Sequence, residues 1–135
     1  MKKLLIIEDN ELMKTFLANY FGSEYIVEHV STPSEAITKL NTGNPQSYDA
    51  VISDFKDASN LEYNRLKEVT DHVNESNVPM IILTDEDKSE QRLQSLSLGA
   101  RDTLSKPFNP KELDMRVTSL IGQATFSQSI LRKAA

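Results

Sequence analysis

Residues 2–10 read KKLLIIEDN, and this stretch decides the fold class. Four consecutive aliphatic residues, 4–7, predict a strand that is buried on both faces, as the strands of parallel sheets are. The strand leads directly into two acids, Glu8 and Asp9. Because uncompensated charge at the end of a buried strand is unfavourable, we expect a positive group beside these two carboxylates.

Strand and helix patterns alternate along the rest of the chain. Four further strands are predicted at 25–30, 48–53, 80–83 and around 103–104. Five helices are predicted between and after them, including one capped by Thr32, one over 86–98 and one that begins at Asn109. The first helix is expected to bury its helically spaced apolar residues and to end at Gly22; those residues are Leu12, Phe16, Leu17, Tyr20 and Phe21. Strict alternation predicts a doubly wound α/β sandwich with a five-stranded parallel sheet.

Composition narrows the classes of function. The chain has 135 residues, 15 basic and 20 acidic, and its net charge of −5 argues against electrostatic binding of nucleic acid or of a membrane surface. It has no cysteine, which excludes a disulfide framework and a thiolate metal site. No stretch is long and apolar enough for a membrane span or a signal peptide, so a cytoplasmic location is expected.

Chemically active residues follow four of the predicted strands. Glu8 and Asp9 follow the first, Asp54 the third, Thr84 the fourth and Lys106 the fifth. In doubly wound sheets the functional site lies outside the carboxyl ends of the strands, so these side chains are expected to meet. Three adjacent carboxylates raise one another's pKa unless a cation binds, and an all-oxygen set at an open edge favours Mg²⁺ over Ca²⁺.

This set of residue types points to phosphoryl chemistry. Asp54 could act as a nucleophile toward a phosphoryl donor, Lys106 could neutralise a phosphate oxygen, and the Thr84 hydroxyl could donate a hydrogen bond to another. Each acid taken alone is more simply a helix cap, and Lys106 alone is more simply a solvated surface residue. Their joint occurrence favours the functional interpretation, because caps do not require two acids, a hydroxyl and a lysine in that order of strands.

The motifs LLIIEDN, YDAVISD, MIILTD and GARDTLSKPFNPKEL resemble the receiver domain of two-component response regulators over residues 3–121. The resemblance implies a flavodoxin-like fold with strand order 2-1-3-4-5. It implies a signalling phosphoacceptor rather than an enzyme. The only activity expected of such a domain is its own phosphorylation and dephosphorylation. A histidine kinase, a phosphotransfer protein or a small phosphodonor would supply the phosphoryl group in a Mg²⁺-dependent reaction.

The resemblance also assigns roles to residues. Asp54 would accept the phosphoryl group, and Thr84 and Lys106 would contact it. The Mg²⁺ ligands beside Asp54 would be Glu8, Asp9 and the backbone carbonyl of Lys56. Pro107 would follow a cis peptide bond, which only an X-Pro bond adopts at low cost.

Three departures from the family pattern, and one pair of residues, bear on switching and phosphoryl lifetime. Thr103 stands where the family usually has an aromatic switch residue. Asp85 replaces a small residue, and it would either repel a phosphoryl group or point to solvent and cap the next helix. The loop after Asp54 lacks the usual proline and glycine. Lys56 and Glu86 lie at positions that tune dephosphorylation, and we predict that they pair across the site.

The predicted domain division is a receiver at 1–122 and a C-terminal helical extension or linker at 123–135. A faint heptad favours a continuous helix there, whereas Gly122 favours a frayed end. A homodimer through the last helices and the fifth strand would use the charges of Arg92, Arg101 and Asp102, which are otherwise an ordinary solvated face. No direct binding of nucleic acid is expected.

Three alternative functions differ from a phosphorylated receiver. A receiver-like interaction module would keep the fold and work without phosphorylation, as Asp85 and Thr103 suggest. A Mg²⁺-dependent phosphatase would need an acid where Lys56 stands. A flavin-binding domain would need a phosphate-binding loop after the first strand, where Glu8 and Asp9 would repel the phosphate.

Overall fold

A single parallel sheet organises the computed structural model, which describes residues 1–43, 48–85 and 89–134. The five strands, in chain order, are β1 (Lys2–Ile7), β2 (Tyr25–Val30), β3 (Ala50–Asp54), β4 (Met80–Thr84) and β5 (Asp102–Ser105). The five helices are α1 (Glu11–Phe21), α2 (Pro33–Thr42), α3 (Tyr63–Glu75), α4 (Ser89–Leu98) and α5 (Pro110–Ala134). Each helix follows one strand, as the alternation predicts.

The sheet has the order β2-β1-β3-β4-β5, and all its neighbouring strands are parallel. The predicted fold class, a doubly wound five-stranded sandwich, is therefore confirmed. In the register, Ile7 pairs with Ser53 and Thr84 pairs with Ser105. The carboxyl ends of β1, β3, β4 and β5 consequently lie side by side at one edge of the sheet.

The core consists of two apolar layers, one on each face of the sheet. Alternate residues of β1 enter different layers, since Leu4 and Ile6 face α1 and α5 whereas Leu5 and Ile7 face α2 and α3. The aliphatic runs of the central strands are fully buried, at 4–7 in β1, 50–52 in β3 and 80–83 in β4. This double packing holds the strand ends in fixed positions.

Local capping signals predict several helix ends correctly. The Thr32 hydroxyl accepts a hydrogen bond from the Glu35 backbone N–H at 3.2 Å, and Pro33 occupies the first turn of α2. The Asn109 side chain accepts from the Lys111 N–H at 2.9 Å at the start of α5. Gly22 is the C-cap of α1, as expected.

The predicted buried face of α1 is partly wrong. Leu12 is 84% exposed and Phe16 is 43% exposed, whereas Lys14 is buried beside Leu17 and Phe21. The Lys14 ammonium keeps polar contacts, 3.0 Å from Ser31 Oγ and 3.0 Å from a carboxylate oxygen of Glu11. The aliphatic stem of a lysine can line a core while its charge stays solvated or paired, which the apolar pattern alone does not reveal.

The bounds of β3 also differ from the prediction. β3 covers Ala50–Asp54, so Tyr48 precedes the strand and Asp54 is its last residue. α4 is described from Ser89, and the predicted start of that helix at Glu86 lies outside the described residues.

The last helix continues through Gly122 to Ala134. A Cβ at Gly122 would meet no atom within 4 Å, so the glycine there serves no close packing. Of the α5 side chains that the structure describes, four are buried against the domain: Leu113, Val117, Ile121 and Ala124. Beyond them Phe126 is 67% exposed. Among the described helices, none combines the length and the apolar character that crossing a membrane requires.

Candidate functional site

Three carboxylates meet at the carboxyl edge of the sheet. Glu8 and Asp9 follow β1 and Asp54 ends β3, and one oxygen from each of the three lies within 4.8 Å of the others. Glu8 is only 2% exposed, Asp54 is half-buried and Asp9 is exposed. We call these three residues the acidic cluster. Its donors are hard carboxylate oxygens at an open edge, and they fit Mg²⁺, which takes oxygen ligands and retains water.

Lys106 supplies the positive group that the buried strand end requires. Its Nζ lies 2.9 Å from Asp54 Oδ1 and 3.3 Å from Glu8 Oε1. Lys106 follows β5, and the peptide bond from Lys106 to Pro107 is cis, as the resemblance implies. The fold thus places Lys106, which is distant in sequence, beside the two most buried acids of the cluster.

Lys56 supplies a second ammonium to the same cluster. Its Nζ lies 3.1 Å from Asp9 Oδ2 and 3.6 Å from Asp54 Oδ2, and its side chain is 10% exposed. This contact differs from the predicted pairing of Lys56 with Glu86, and Glu86 lies outside the described residues. The prediction considered the Lys56 side chain only as a partner of Glu86, and it overlooked the carboxylates of Asp9 and Asp54.

The surroundings of these groups shift their pKa values in different directions. Burial, followed by the charge of Asp54, raises the pKa of Glu8, although the Asn10 N–H and Lys106 act against this. The hydrogen bond from Lys56 lowers the pKa of Asp9. Burial opposes the charge of Lys106, but hydrogen bonds and charges of Asp54 and Glu8 outweigh it and raise the pKa of that ammonium. Lys106 therefore remains charged, whereas burial and the charge of Asp54 still disfavour the charged form of Glu8.

The Thr84 hydroxyl is buried at the end of β4, next to the cluster's edge of the sheet. Its Oγ1 lies 3.3 Å from Ser105 Oγ, within hydrogen-bonding distance. Sequence reasoning missed Ser105, although it directly precedes Lys106 and pairs with Thr84 in the register of β4 and β5. Thr103, two residues earlier, is also buried in β5 and places a small side chain where the resemblance implies a ring.

Asp85 is tied to the first turn of α4. Gln91 Nε2 donates to Asp85 Oδ2 at 3.1 Å, and the Asp85 backbone N–H donates to Gln91 Oε1 at 2.9 Å. Of the two interpretations of Asp85, this geometry agrees with the one in which its carboxylate is exposed and anchors the following helix. Gln91 had no signal in the sequence, because it lies six positions from Asp85 and no motif links the two residues.

The loop after Asp54 turns without proline or glycine. The Asn60 N–H donates to the Asp57 carbonyl at 2.9 Å, and the Ser59 N–H donates to Asp57 Oδ1 at 2.9 Å. The Asn60 side chain in turn accepts from the Glu62 N–H at 2.8 Å. Asp and Asn side chains that bond to nearby backbone can replace the usual turn residues, so the unusual loop is still well defined.

Charges near β5 and α5 have partners within the chain. Arg116 Nη1 lies 3.0 Å from both carboxylate oxygens of Asp102 and 3.1 Å from the Thr103 carbonyl. Arg101 Nη2 donates to Asn77 Oδ1 at 3.1 Å. Two of the three charges considered for dimerisation, Arg101 and Asp102, are therefore already engaged in intramolecular contacts.

Comparison with known proteins shows which curated sequences this chain is similar to. The Transcriptional regulatory protein CpxR homolog of Haemophilus influenzae is 34% identical over 122 residues, which are 90% of this chain and 51% of that protein. The Response regulator SaeR of Staphylococcus aureus is 30% identical over 122 residues, with the same coverage of both chains. The chain thus spans about half the length of the curated relatives that it matches.

Solved structures agree with the sequence relatives. A putative response regulator from Chloroflexus aurantiacus has a TM-score of 0.77 and 27% identity, over 90% of this chain and 98% of the other. The receiver domain of the Francisella response regulator 1452 has a TM-score of 0.75 and 27% identity, over 91% of this chain and 98% of the other. The family described as "Response regulator receiver domain" matches residues 4–118. The chain belongs to the receiver domains of response regulators, the signalling modules of two-component systems.

Proposed function

We propose that this receiver domain is phosphorylated on Asp54 in a Mg²⁺-dependent reaction and thereby switches protein–protein interactions. One observation carries the proposal: oxygens of Glu8, Asp9 and Asp54 lie within 4.8 Å of one another, with the Lys106 ammonium 2.9 Å from Asp54. Three separate parts of the chain supply these groups. The packing of the apolar core does not require these charged side chains to lie together.

Asp54 is the best placed nucleophile of the cluster. It ends a central strand and is half-buried, whereas Glu8 is buried and Asp9 is exposed. A carboxylate oxygen of Asp54 forms a bond to phosphorus as the bond between phosphorus and the donor breaks. With a phosphohistidine donor, the leaving group is the imidazole nitrogen, which takes up a proton from solvent. The product is an aspartyl phosphate.

The chain's own groups would hold the transferred phosphoryl group. Lys106 is already in contact with Asp54 and offers a charged donor to a phosphoryl oxygen. The Thr84 hydroxyl would exchange its Ser105 contact for a second phosphoryl oxygen. Mg²⁺, when bound, supplies positive charge to the phosphoryl oxygens. Its proposed ligands are Glu8, Asp9, Asp54 and the backbone carbonyl of Lys56.

The phosphoryl donor is proposed to be a histidine kinase or a phosphotransfer protein. The net charge of −5 supports proteins rather than nucleic acid as partners of this domain. Homodimerisation through the last helices and β5 and a cytoplasmic location stay proposals that rest on the family. We also keep the division at residue 122 as a proposal, with α5 packed on the domain as far as Ala124.

Intact-mass spectrometry after incubation with acetyl phosphate and Mg²⁺ tests the proposal. We expect an acid-stable, base-labile adduct of about 80 Da in the wild type, because an acyl phosphate forms on the carboxylate. Asp54→Asn should abolish the adduct. Asp71→Asn, which removes the same charge from the exposed surface of α3, should retain it.

The result that contradicts phosphorylation would be no adduct in the wild type with several small donors and with a histidine kinase. Retention of the full adduct in Asp54→Asn would instead contradict the choice of acceptor. The first outcome would favour the receiver-like interaction module that works without phosphate.

A further inference from the structure

The two lysines divide the oxygens of the acidic cluster between them. Lys106 contacts Glu8 and Oδ1 of Asp54, whereas Lys56 contacts Asp9 and Oδ2 of Asp54. Every acid of the cluster therefore has an ammonium neighbour, and Asp54 has one beside each oxygen. Three carboxylates and two ammonium groups leave only one net negative charge for a divalent cation to neutralise.

The position of Lys56 is unlike that of an ordinary surface lysine. Surface ion pairs between long, solvated side chains hold little geometry and contribute little energy. The Lys56 side chain is only 10% exposed, and its ammonium lies between two carboxylates of the cluster. Such enclosure of a lysine indicates that the charge of the cluster, rather than solvent, holds the side chain there.

We propose that the Lys56 ammonium is an internal counter-cation that competes with Mg²⁺ for the oxygens of Asp9 and Asp54. This inference rests on the proposed Mg²⁺ site. An arriving cation must displace the ammonium from Asp9, because both need the same carboxylates within a few ångströms. Lys56 lies on the loop after β3, and its four-carbon stem lets the ammonium leave without moving the strand.

Binding of Mg²⁺ and release of Lys56 then form one exchange. Without Mg²⁺, Lys56 offsets the repulsion among the carboxylates and stabilises the folded domain. With Mg²⁺, the divalent ion replaces it at the cost of moving a positive charge into solvent. The affinity of this receiver for Mg²⁺ is therefore lower than the acidic cluster alone would give, and the side chain at position 56 sets it.

Calorimetric titration of Mg²⁺ at low ionic strength into wild type and Lys56→Met tests the exchange. We expect Lys56→Met to bind Mg²⁺ about ten-fold more tightly, because a neighbouring like charge is removed from the site. The substitution keeps the backbone carbonyl that is proposed as a ligand, so any change reports on the side chain. High salt should reduce the difference between the two proteins.

Two control variants test whether the effect comes from the charge at position 56. The alternatives are the shape of that side chain and the net charge of the protein. Lys56→Arg keeps the positive charge and should stay within about two-fold of the wild-type affinity. Lys67→Met removes a lysine from the exposed surface of α3, and it should also leave the affinity within about two-fold.

A second measurement does not depend on titration: in the presence of a chelator, Lys56→Met should unfold at a lower temperature than wild type. Added Mg²⁺ should raise its unfolding temperature more.

The inference is overturned if wild type binds Mg²⁺ and Lys56→Met binds it equally or more weakly. A gain in Lys67→Met as large as that in Lys56→Met would also overturn it. If neither wild type nor Lys56→Met binds Mg²⁺, the proposed metal site fails together with the inference. The first two outcomes leave the proposed phosphorylation of Asp54 standing, so the two failures can be told apart.

Discussion

Two glutamates, Glu8 just after β1 and Glu28 within the neighbouring strand β2, have opposite electrostatic surroundings. Glu28 lies in β2, 2.6 Å from Lys3 Nζ and 3.1 Å from Lys39 Nζ, and it accepts a hydrogen bond from the Tyr48 hydroxyl at 2.6 Å. The contacts with Lys3 and Tyr48 lower the pKa of Glu28 to about 2. Burial and the charge of Asp54 instead raise the pKa of Glu8.

The difference shows which of the two clusters is built for stability. Around Glu28 the positive and donor groups outnumber the acids, so folding stabilises the charged form of its carboxylate. At the acidic cluster the carboxylates outnumber the ammonium groups, and folding brings like charges together. Such an arrangement is expected where a site must accept a ligand of opposite charge, because the ligand then relieves an existing repulsion.

The largest expected effect on folding comes from removing the cation at the acidic cluster. Lys106→Met leaves the buried Glu8 carboxylate without its ammonium partner and should lower the free energy of unfolding by about 2 kcal/mol. Urea unfolding in the presence of a chelator measures this loss.

The control Lys111→Met removes an exposed lysine of α5 and should change stability by less than about 0.5 kcal/mol. Combining Lys106→Met with Glu8→Gln should recover most of the loss, because no buried charge then lacks a partner. Equal losses in the single and the double variant would show that packing of the Lys106 stem, rather than its charge, stabilises the edge.

A smaller loss is expected at the second cluster, and it should depend on pH. Glu28→Gln should cost about 1 kcal/mol at neutral pH, since the ion pairs are partly exposed and screened. The pKa of Glu28 is about 2 in the folded protein, below the usual 4.5, so its contribution is fully present above pH 4.5. It should decline as the pH falls from there toward 2, because the unfolded chain takes up the proton first.

Urea midpoints of wild type and Glu28→Gln near pH 7 and near pH 3 measure this closing gap. Glu24→Gln, at an exposed position just before β2, serves as the matched control and should show no gap at either pH. A difference of the same size at both pH values would mean that Glu28 acts through shape and hydrogen bonds alone.

Much of the fold was predictable because its signals are local. The aliphatic run at 4–7 and the capping residues Thr32 and Pro33 act within a few residues of themselves, and the structure confirms them. Strand order then brings the strand ends to one edge, which is why distant acids could be expected to meet. Which face of α1 is buried was not predictable in the same way. Periodicity gives the spacing of buried residues, but one face that contains Leu12 and another that contains Lys14 both have that spacing.

Lys106 was expected to meet the acids, but other side-chain partners in the site could not be read from the sequence. Lys56 reaches Asp9 because the turn at Asp57 fixes the direction of the loop, and a lysine stem can reach several acids from one backbone position. The contact between Asp85 and Gln91 joins two residues six positions apart that no sequence motif links. Sequence patterns predict which elements meet, whereas the pairing of long polar side chains depends on distances that only the assembled fold sets.

The smallest expected effect has the opposite sign and gives the sharpest test of the comparison. Glu8→Gln should raise the free energy of unfolding by about 0.5 kcal/mol in the presence of a chelator, because it removes a buried charge that Asp54 repels. Lys106 keeps its partner, since Asp54 remains 2.9 Å away. Saturating Mg²⁺ should reverse the ranking, because only wild type retains the full set of proposed ligands. A loss of stability in chelator, like that of Glu28→Gln, would mean that the two clusters are alike and that the acidic cluster carries no repulsion for a cation to relieve.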